Sequence, residues 1–313
     1  MLRIPRTDLD VFPLCLGGNV FSWTADEQES FAVLDSYVAA GGNFIDTADV
    51  YSAWVPGHTG GESESIIGRW MAARGIRNRI VIATKVGMSP GLKGLSPQTI
   101  RTAAEASLRR LGVTSIDLYY AHADDPETSL EDSLRAFDTL VKEGKVRYVG
   151  ASNFTAPRLA EALSISDRNG LARYVALQPH YNLIHRGDYE GALAALCMRE
   201  AVGCMPYYGL AKGFLTGKYR PGRNVDSPRA AAARAYLDAR GLRVLAVLDD
   251  IAHARRTSVP AVALAWLCAQ PTVVAPIASA RTVTQLSELL PVTGVNLTHD
   301  EVARLSAASS GTD

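Results

Sequence analysis

The 313-residue chain balances 32 basic against 32 acidic residues, and 47% of its residues are hydrophobic. Balanced charge provides no net field for a polyanion or an acidic membrane surface, so we expect neither nucleic acid nor membrane as a partner. The length suits one β/α barrel of about 250 residues plus insertions, and because no Pro/Gly/Ser-rich linker divides the chain, we expect one domain over residues 1–313.

Strand-like and helix-like segments alternate along the chain. The pattern predicts strands near 13–17, 42–46, 79–86, 115–121, 145–150, 173–178, 202–206 and 272–277. It predicts helices over 26–40, 62–74, 97–111, 129–143, 155–168, 188–200, 238–257, 259–270 and 282–290. This alternation implies parallel pairing and an α/β fold, a (β/α)8 TIM barrel. A doubly wound sheet is the alternative, but no GxGxxG follows the first strand.

Two of the predicted helices carry clear start signals. Ser96 is suited to cap free amide groups, and Pro97 then occupies the first turn, where its missing N–H donor costs nothing. Ser129 precedes a segment with apolar residues at helical spacing, and Gly144 is placed to end that helix.

Four ionisable residues lie at or just beyond the C-terminal ends of three consecutive predicted strands: Asp46, Tyr51, Lys85 and His122. Barrel enzymes build their active sites from such positions. We expect the Lys85 ammonium to lower the pKa of the Tyr51 phenol, Asp46 to hold the lysine charged, and the imidazole to donate a hydrogen bond to an oxygen that becomes negative. Each residue alone also has an ordinary interpretation as a packing, capping or solvated side chain.

The cysteines and the apolar segments bear on the compartment. The four cysteines lie far apart without CxxC pairing, which predicts packed thiols rather than disulfides or zinc ligands. Charges scattered through the N-terminus argue against a signal peptide, and the longest apolar stretch, residues 261–269, is about half of a membrane span. We expect a cytoplasmic protein. The histidines show no metal-ligand spacing, and we expect no metal.

Several segments together resemble the aldo-keto reductase family. DTADVY (46–51) resembles the family's DTAxxY segment, GGESESIIGRW (60–70) resembles the helix that follows it, and His122 ends a stretch like its YxxH segment. GKVRYVGASNF (144–154) and LQPHYN (177–182) resemble the fifth-strand and sixth-strand signatures, and PIASARTVTQL (276–286) resembles the final one. The resemblance covers nearly the whole chain and implies a β/α barrel that reduces carbonyl compounds with a nicotinamide cofactor.

The resemblance also implies residue roles. Tyr51 would be the general acid, Lys85 with Asp46 would lower its pKa, and His122 would orient the substrate carbonyl. Ser152, Asn153 and Gln178 match the residues that hold the nicotinamide carboxamide, and Tyr207 matches the aromatic that stacks on the nicotinamide ring. Arg281 would meet the ribose phosphate of NADPH and Gln285 the adenine. Weaker cofactor candidates are Leu210, Gly213, Lys218 and Ser279.

Some positions depart from the family pattern. Ser279 occupies a place where glycine is common, Leu289 one where asparagine is common, and Tyr208-Gly209 replaces the usual Ser-Pro after Tyr207. These changes fall at positions expected near the adenine and the pyrophosphate and leave the four catalytic candidates untouched. Phe21, Trp23 and Trp54 lie in loops after the first two strands and are candidates for an apolar wall of the substrate pocket.

The leading hypothesis is an NADPH-dependent oxidoreductase that reduces aldehydes or ketones. One alternative is a regulatory protein that binds the cofactor with little turnover. Another is a barrel lyase in which Lys85 forms a Schiff base with a carbonyl substrate. The natural substrate, the direction of reaction and the oligomeric state stay open at this point.

Overall fold

A computed structural model describes residues 1–310. Eight parallel strands form one sheet in which chain neighbours are paired. They are β1 (Cys15–Gly17), β2 (Phe44–Asp46), β3 (Val81–Val86), β4 (Ile116–Ala121), β5 (Val146–Ser152), β6 (Tyr174–Gln178), β7 (Gly203–Cys204) and β8 (Ile277–Ala278). β8 pairs with β1 as well, so that β7 and β8 are the two ends of this ladder.

Backbone hydrogen bonds join these two ends and close the barrel. Cys204 donates to the carbonyl of Thr272 at 2.8 Å, and Val274 donates to the carbonyl of Cys204 at 2.9 Å. Ile277 donates to the carbonyl of Pro206 at 2.8 Å. The eighth strand was predicted at 272–277, but regular pairing with β1 begins only at Ile277, because the preceding residues bond to β7 instead. The predicted (β/α)8 barrel is confirmed.

Helices follow the strands at nearly the predicted positions. They are α1 (Glu27–Ala39), α2 (Glu62–Arg74), α3 (Pro97–Leu111), α4 (Leu130–Lys142), α5 (Ala156–Asn169), α6 (Ala192–Glu200), α7 (Ala230–Arg234), α8 (Ala239–Arg255), α9 (Val259–Cys268), α10 (Val283–Leu289) and α11 (His299–Ser309). Ser96 and Ser129 accept from the amides of Thr99 and Asp132, which confirms both predicted caps. Gly144 follows the end of α4 with φ of 71°, a left-handed conformation that favours glycine.

Three features differ from the sequence prediction. The helix predicted over 188–200 begins only at Ala192, because the preceding residues form turns and Gly191 has φ of 96°. The short α7 and the terminal α11 were not predicted. The sequence did carry a start signal for α11, since Thr298 and Glu301 form a reciprocal capping box at the beginning of this helix.

The hydrophobic core has two parts that share the strands. The larger part packs the outward faces of the strands against the helices. The smaller part fills the barrel and includes Ile4, Leu9 and Val11 from an N-terminal hairpin. Tyr148, early in β5, donates its hydroxyl to Asp8 of the same hairpin at 3.0 Å. The hairpin therefore covers the N-terminal ends of the strands and leaves the C-terminal ends for a site.

The cysteines are free thiols: Cys15, Cys197 and Cys204 are buried and Cys268 is partly so, as predicted for packed thiols. Among the described residues, no helix combines the length and the apolar character needed to cross a bilayer.

Candidate active site

Strand alternation directs the polar side chains into the barrel mouth. In β3, Val81 and Ala83 belong to the core inside the barrel, whereas Ile82 and Val86 belong to the core under the helices. Lys85 continues the inward series because alternate side chains of a strand share a face. The same alternation applies after Phe44 in β2 and Tyr120 in β4, and it directs Asp46 and His122 inward. Tyr51 approaches the same point from the loop after β2.

Lys85 is the centre of the hydrogen-bond network. Its side chain is fully buried, and Nζ donates to Asp46 Oδ2 at 2.7 Å, to the Thr47 carbonyl at 2.7 Å and to the Tyr51 hydroxyl at 2.9 Å. An ammonium group has three N–H donors, and these contacts use all of them. The arrangement fixes the lysine as the charged partner of Asp46 and aims one of its donors at the phenol oxygen.

Asp46 is held on both carboxylate oxygens. Oδ2 accepts from Lys85 and, at 3.2 Å, from the Tyr51 hydroxyl, while Oδ1 accepts from Gln178 Nε2 at 2.8 Å. A buried ion pair offsets its desolvation only when its remaining polar atoms are satisfied, and this one meets that condition. Gln178, predicted as a cofactor contact, thus also supports the aspartate.

The expected lowering of the Tyr51 pKa is wrong for this structure. Burial and the neighbouring Asp46 carboxylate raise the pKa of Tyr51 well above its usual value. Burial disfavours the phenolate, and the Asp46 carboxylate lies 3.2 Å from the phenol oxygen, only slightly farther than Lys85 Nζ at 2.9 Å. The neutral phenol is therefore the resting form. It holds a proton that it can donate, and Lys85 Nζ is in contact with the oxygen that would become negative.

His122 lies beside Tyr51, with ring centroids 6.3 Å apart. Burial and the Lys85 charge lower the pKa of His122 well below its usual value, so the imidazole is neutral near pH 7. Its Nδ1 is buried without a hydrogen-bond partner among the described residues. Asp46, Tyr51, Lys85 and His122 are thus gathered at one point of the barrel mouth.

Ser152, Asn153 and Tyr207 form a connected polar group next to these four residues. Asn153 Nδ2 donates to the His122 carbonyl at 2.9 Å, and its Oδ1 accepts from the Tyr207 hydroxyl at 2.8 Å. The Ser152 hydroxyl donates to the Gln178 carbonyl at 2.9 Å. Asn153 has φ of 58°, a left-handed conformation that asparagine tolerates. The predicted carboxamide-binding residues are therefore adjacent, with amide groups beside the catalytic candidates.

The segment after β7 has an unusual backbone. Tyr208, Ala211 and Lys212 have φ of 53°, 48° and 57°, and Gly213 has φ of 99°. Left-handed conformations at non-glycine residues are costly and concentrate at functional sites. Turns of this kind also direct backbone N–H groups toward anions. Of the weaker candidates, Leu210 precedes this 3-10 segment (Ala211–Thr216), Gly213 lies inside it, and Lys218 follows it.

Positive charge collects around the end of β8. Arg281 donates its backbone N–H to Gln285 Oε1 at 3.0 Å, and its guanidinium forms no ion pair with the described residues. The Arg281 charge lowers the pKa of Lys218, after burial, which is the larger cause. Burial and, to a smaller extent, the Arg281 charge also lower the pKa of Arg229, so Lys218, Arg229 and Arg281 share one region. The Ser279 hydroxyl donates to Asn19 Oδ1 at 2.7 Å and is therefore engaged within the protein.

Comparison with known proteins identifies the family. The family model described as the Aldo/keto reductase family matches residues 13–310. The chain belongs to this family. It is 32% identical to Protein tas of Escherichia coli over 97% of this chain and 96% of that protein. It is 32% identical to norsolorinic acid reductase B of Aspergillus parasiticus, covering 97% and 82%, and 34% identical to the uncharacterized oxidoreductase YrpG of Bacillus subtilis, covering 93% and 90%. It is an oxidoreductase.

Aromatic side chains flank the mouth of this aldo/keto reductase. Trp54 is 47% exposed, and its ring contacts Tyr51 edge-on with centroids 6.2 Å apart and Trp23 at 5.5 Å. Trp23 and Trp54 thus lie together beside Tyr51, and their role as an apolar wall of the substrate pocket stays a prediction. Phe21 is fully buried, and its carbonyl accepts from the Ser52 hydroxyl at 2.7 Å. Its ring belongs to the larger hydrophobic core, so its predicted place on the apolar wall of the pocket is wrong.

Two residues of the aldo/keto reductase site were missed from the sequence. The Arg229 guanidinium lies 5.1 Å above the Trp23 ring and forms no ion pair with the described residues. Burial is the main cause that lowers its pKa. Asp49 lies in the DTADVY segment, and both of its buried carboxylate oxygens lack partners among the described residues. No sequence signal marked Arg229, whereas a second aspartate between Asp46 and Tyr51 was visible in the sequence.

Proposed function

We propose that this protein is an NADPH-dependent reductase of aldehydes or ketones in which Tyr51 is the general acid. One observation carries the proposal: the Tyr51 hydroxyl contacts Lys85 Nζ at 2.9 Å and lies beside the neutral His122, at the open end of the barrel. A proton donor, a stabiliser of its conjugate base and a neutral hydrogen-bond donor are the groups that carbonyl reduction requires.

The residues divide the chemistry between them. When bound, NADPH would supply the hydride for the carbonyl carbon. The Tyr51 hydroxyl gives its proton to the carbonyl oxygen, and the electron pair of the O–H bond stays on the phenol oxygen. The Lys85 ammonium stabilises that negative charge through its existing hydrogen bond, while Asp46 keeps the lysine charged and oriented. His122, which is neutral, donates a hydrogen bond to the same carbonyl oxygen and orients it.

The charge distribution supports NADPH as the cofactor. Lys218, Arg229 and Arg281 lie near one another and form no salt bridge among the described residues, and only the Glu288 carboxylate acts on Lys218, so a bound anion would relieve their mutual repulsion. NADPH carries a pyrophosphate and a ribose phosphate, and a planar guanidinium such as that of Arg281 is well suited to a phosphate. Asn153 and Gln178 provide amide groups that match the nicotinamide carboxamide.

Neither alternative hypothesis is favoured by a feature of the site. Schiff-base chemistry needs an uncharged, accessible amine, whereas Lys85 is fully buried and uses all three donors on oxygen atoms. A regulatory role does not need the complete set of proton-transfer groups. The four free cysteines fit a reducing compartment, so we retain the cytoplasm in this proposal.

The experiment compares NADPH binding and NADPH oxidation in the wild type and in Tyr51→Phe over a panel of aldehydes and ketones. We expect Tyr51→Phe to lower kcat by at least about 100-fold and to leave NADPH affinity unchanged, because it removes only the general acid. Tyr148→Phe is the matched control, since its hydroxyl contacts Asp8 at the opposite end of the barrel.

Two outcomes would contradict the proposal. Turnover by Tyr51→Phe within a few-fold of the wild type would exclude Tyr51 as the general acid. NADPH binding by the wild type without oxidation of any carbonyl in the panel would favour the regulatory alternative.

A further inference from the structure

Three aromatic rings are stacked beside the amide side chain of Asn153. The His185 and His180 rings are 3.7 Å apart between centroids and nearly parallel, at 11°. His180 is also stacked with Tyr207, at 5.4 Å and 19°, whereas the Tyr208 ring meets His180 edge-on at 5.3 Å and 75°. Tyr207 is the residue whose hydroxyl donates to Asn153. We call His185, His180 and Tyr207 the aromatic column.

The backbone holds the column in register. His180 and Tyr207 form a parallel bridge that extends the pairing of β6 with β7, and Tyr207 N–H donates to the Pro179 carbonyl at 3.0 Å. His180 is therefore fixed beside Tyr207 by main-chain hydrogen bonds and not only by its side chain.

Asn182 brings the third ring back onto the second. Its side chain is fully buried, and Oδ1 accepts from the N–H groups of Ile184 and His185, both at 2.9 Å. Its Nδ2 donates to the Tyr208 carbonyl at 2.9 Å. The turn returns the chain so that His185 covers the face of His180, and Asp188 Oδ2 lies 2.7 Å from His185 Nε2. The column is thus anchored to both segments that it joins.

We propose that His180, backed by His185, is a positioning residue that holds the Tyr207 ring against the nicotinamide ring of NADPH. The inference rests on the proposed function, in which Tyr207 stacks on that ring. It follows from the geometry because Tyr207 is fixed at its hydroxyl by Asn153 and on one side of its ring by His180. A stacking partner fixed at both points binds a planar ligand with less loss of conformational entropy.

The charge state of His180 agrees with this role. Burial, with smaller effects from His185 and Lys212, lowers the pKa of His180 to about 4, so its ring is uncharged at neutral pH. An uncharged His180 behind Tyr207 is compatible with both cofactor forms, including NADP, whose nicotinamide ring is positively charged. Neither histidine contacts Asp46, Lys85 or Tyr51 through a hydrogen bond among the described residues, so the column acts through Tyr207.

The test compares two ligands in three variants of the full chain. The ligands are NADPH and adenosine 2′,5′-bisphosphate, which keeps the phosphate of the adenosine half and lacks nicotinamide. The variants are His180→Ala, which removes the stacking ring, His180→Phe, which retains one, and His253→Ala in α8 as a distant exposed control. Dissociation constants are measured by quenching of tryptophan fluorescence.

We expect His180→Ala to raise the dissociation constant of NADPH about tenfold, equivalent to about 1.4 kcal/mol, and to leave that of adenosine 2′,5′-bisphosphate unchanged. His180→Phe should restore NADPH binding to within about twofold of the wild type, and His253→Ala should change neither ligand. Unchanged NADPH binding in His180→Ala would overturn the inference. Equal weakening of both ligands would overturn it too, because a general structural role predicts that result.

The same titration separates this inference from the proposed function. If the wild type binds neither ligand, the cofactor assignment fails and the inference falls with it. If the wild type binds both ligands and reduces carbonyl compounds but His180→Ala binds NADPH normally, only the role of the column is refuted.

Discussion

Replacing Asp49 with asparagine should stabilise the protein above neutral pH. The Asp49 carboxyl is buried in the segment that joins Asp46 to Tyr51, and neither of its oxygens has a hydrogen-bond partner among the described residues. Burial is the main cause that raises its pKa to about 7. The Glu64 carboxylate adds to the increase and the Arg110 guanidinium opposes it. An asparagine has nearly the same shape and never ionises.

The magnitude follows from the difference between the folded and unfolded pKa values. An increase from 3.8 to about 7 corresponds to about 4 kcal/mol of folding free energy, at about 1.4 kcal/mol for each pH unit. Because the folded state binds this proton more tightly, unfolding releases it between about pH 4 and pH 7. The stabilisation of the wild type by the proton on Asp49 is complete below pH 4 and is lost as the pH rises through 7. Above that pH the contribution of Asp49 to stability changes no further.

The assay is urea unfolding of the wild type and Asp49→Asn between pH 5 and pH 8, with tryptophan fluorescence as the readout. The stability of Asp49→Asn relative to the wild type should increase over this range by about 2.5 kcal/mol, the part of the effect that lies above pH 5. Asp226→Asn, at an exposed loop position, is the control and should follow the wild type. Parallel stability curves for wild type and Asp49→Asn would refute the assignment of a buried, neutral carboxyl.

Three further predictions concern the site. Lys85→Met should destabilise the protein by about 3–5 kcal/mol, because it leaves Asp46 buried without its partner. Borohydride treatment of the wild type with a carbonyl substrate should leave no adduct on Lys85. An adduct would instead support the lyase. Arg281→Ala should raise the dissociation constant of NADPH roughly 10- to 100-fold without affecting NADH, as expected for a charged hydrogen bond to the ribose phosphate; equal effects on both cofactors would disprove that contact. Trp54→Ala should lower kcat/KM about fivefold to tenfold for aromatic aldehydes while sparing small aliphatic ones, because only aromatic substrates cover the exposed ring; an equal loss for both classes would exclude this wall as the cause.

The sequence was sufficient for the barrel and for most of its elements. Strand and helix periods, caps such as Ser96 and Ser129, and the alternation of strands with helices are local properties, and they gave α2 and α3 with their observed bounds. The eighth strand and α6 were predicted less accurately. Residues 272–274 pair with β7, which is distant in sequence, and the turns that end at Gly191 delay the start of α6.

The candidate catalytic residues were also accessible from the sequence, since the ends of parallel strands meet at one end of a barrel. Their electrostatics were not. The sequence suggested that Lys85 would dominate the phenol, whereas the fold buries Tyr51 against Asp46 as well and reverses the direction of its pKa shift. The burial of the Tyr51 ring and its distance from the Asp46 carboxylate depend on all the elements that pack around the ring.

What the chain determined by itself was therefore its family, its barrel and the identity of the residues at the strand ends, because these follow from order and local pattern. Only the tertiary structure decided that Phe21 is buried, that Arg229 lies over Trp23, that Asp49 lacks a partner and that His180 and His185 stack behind Tyr207. Each of these depends on contacts between side chains whose separation in space is set by the folding of the backbone between them, which local sequence pattern does not encode.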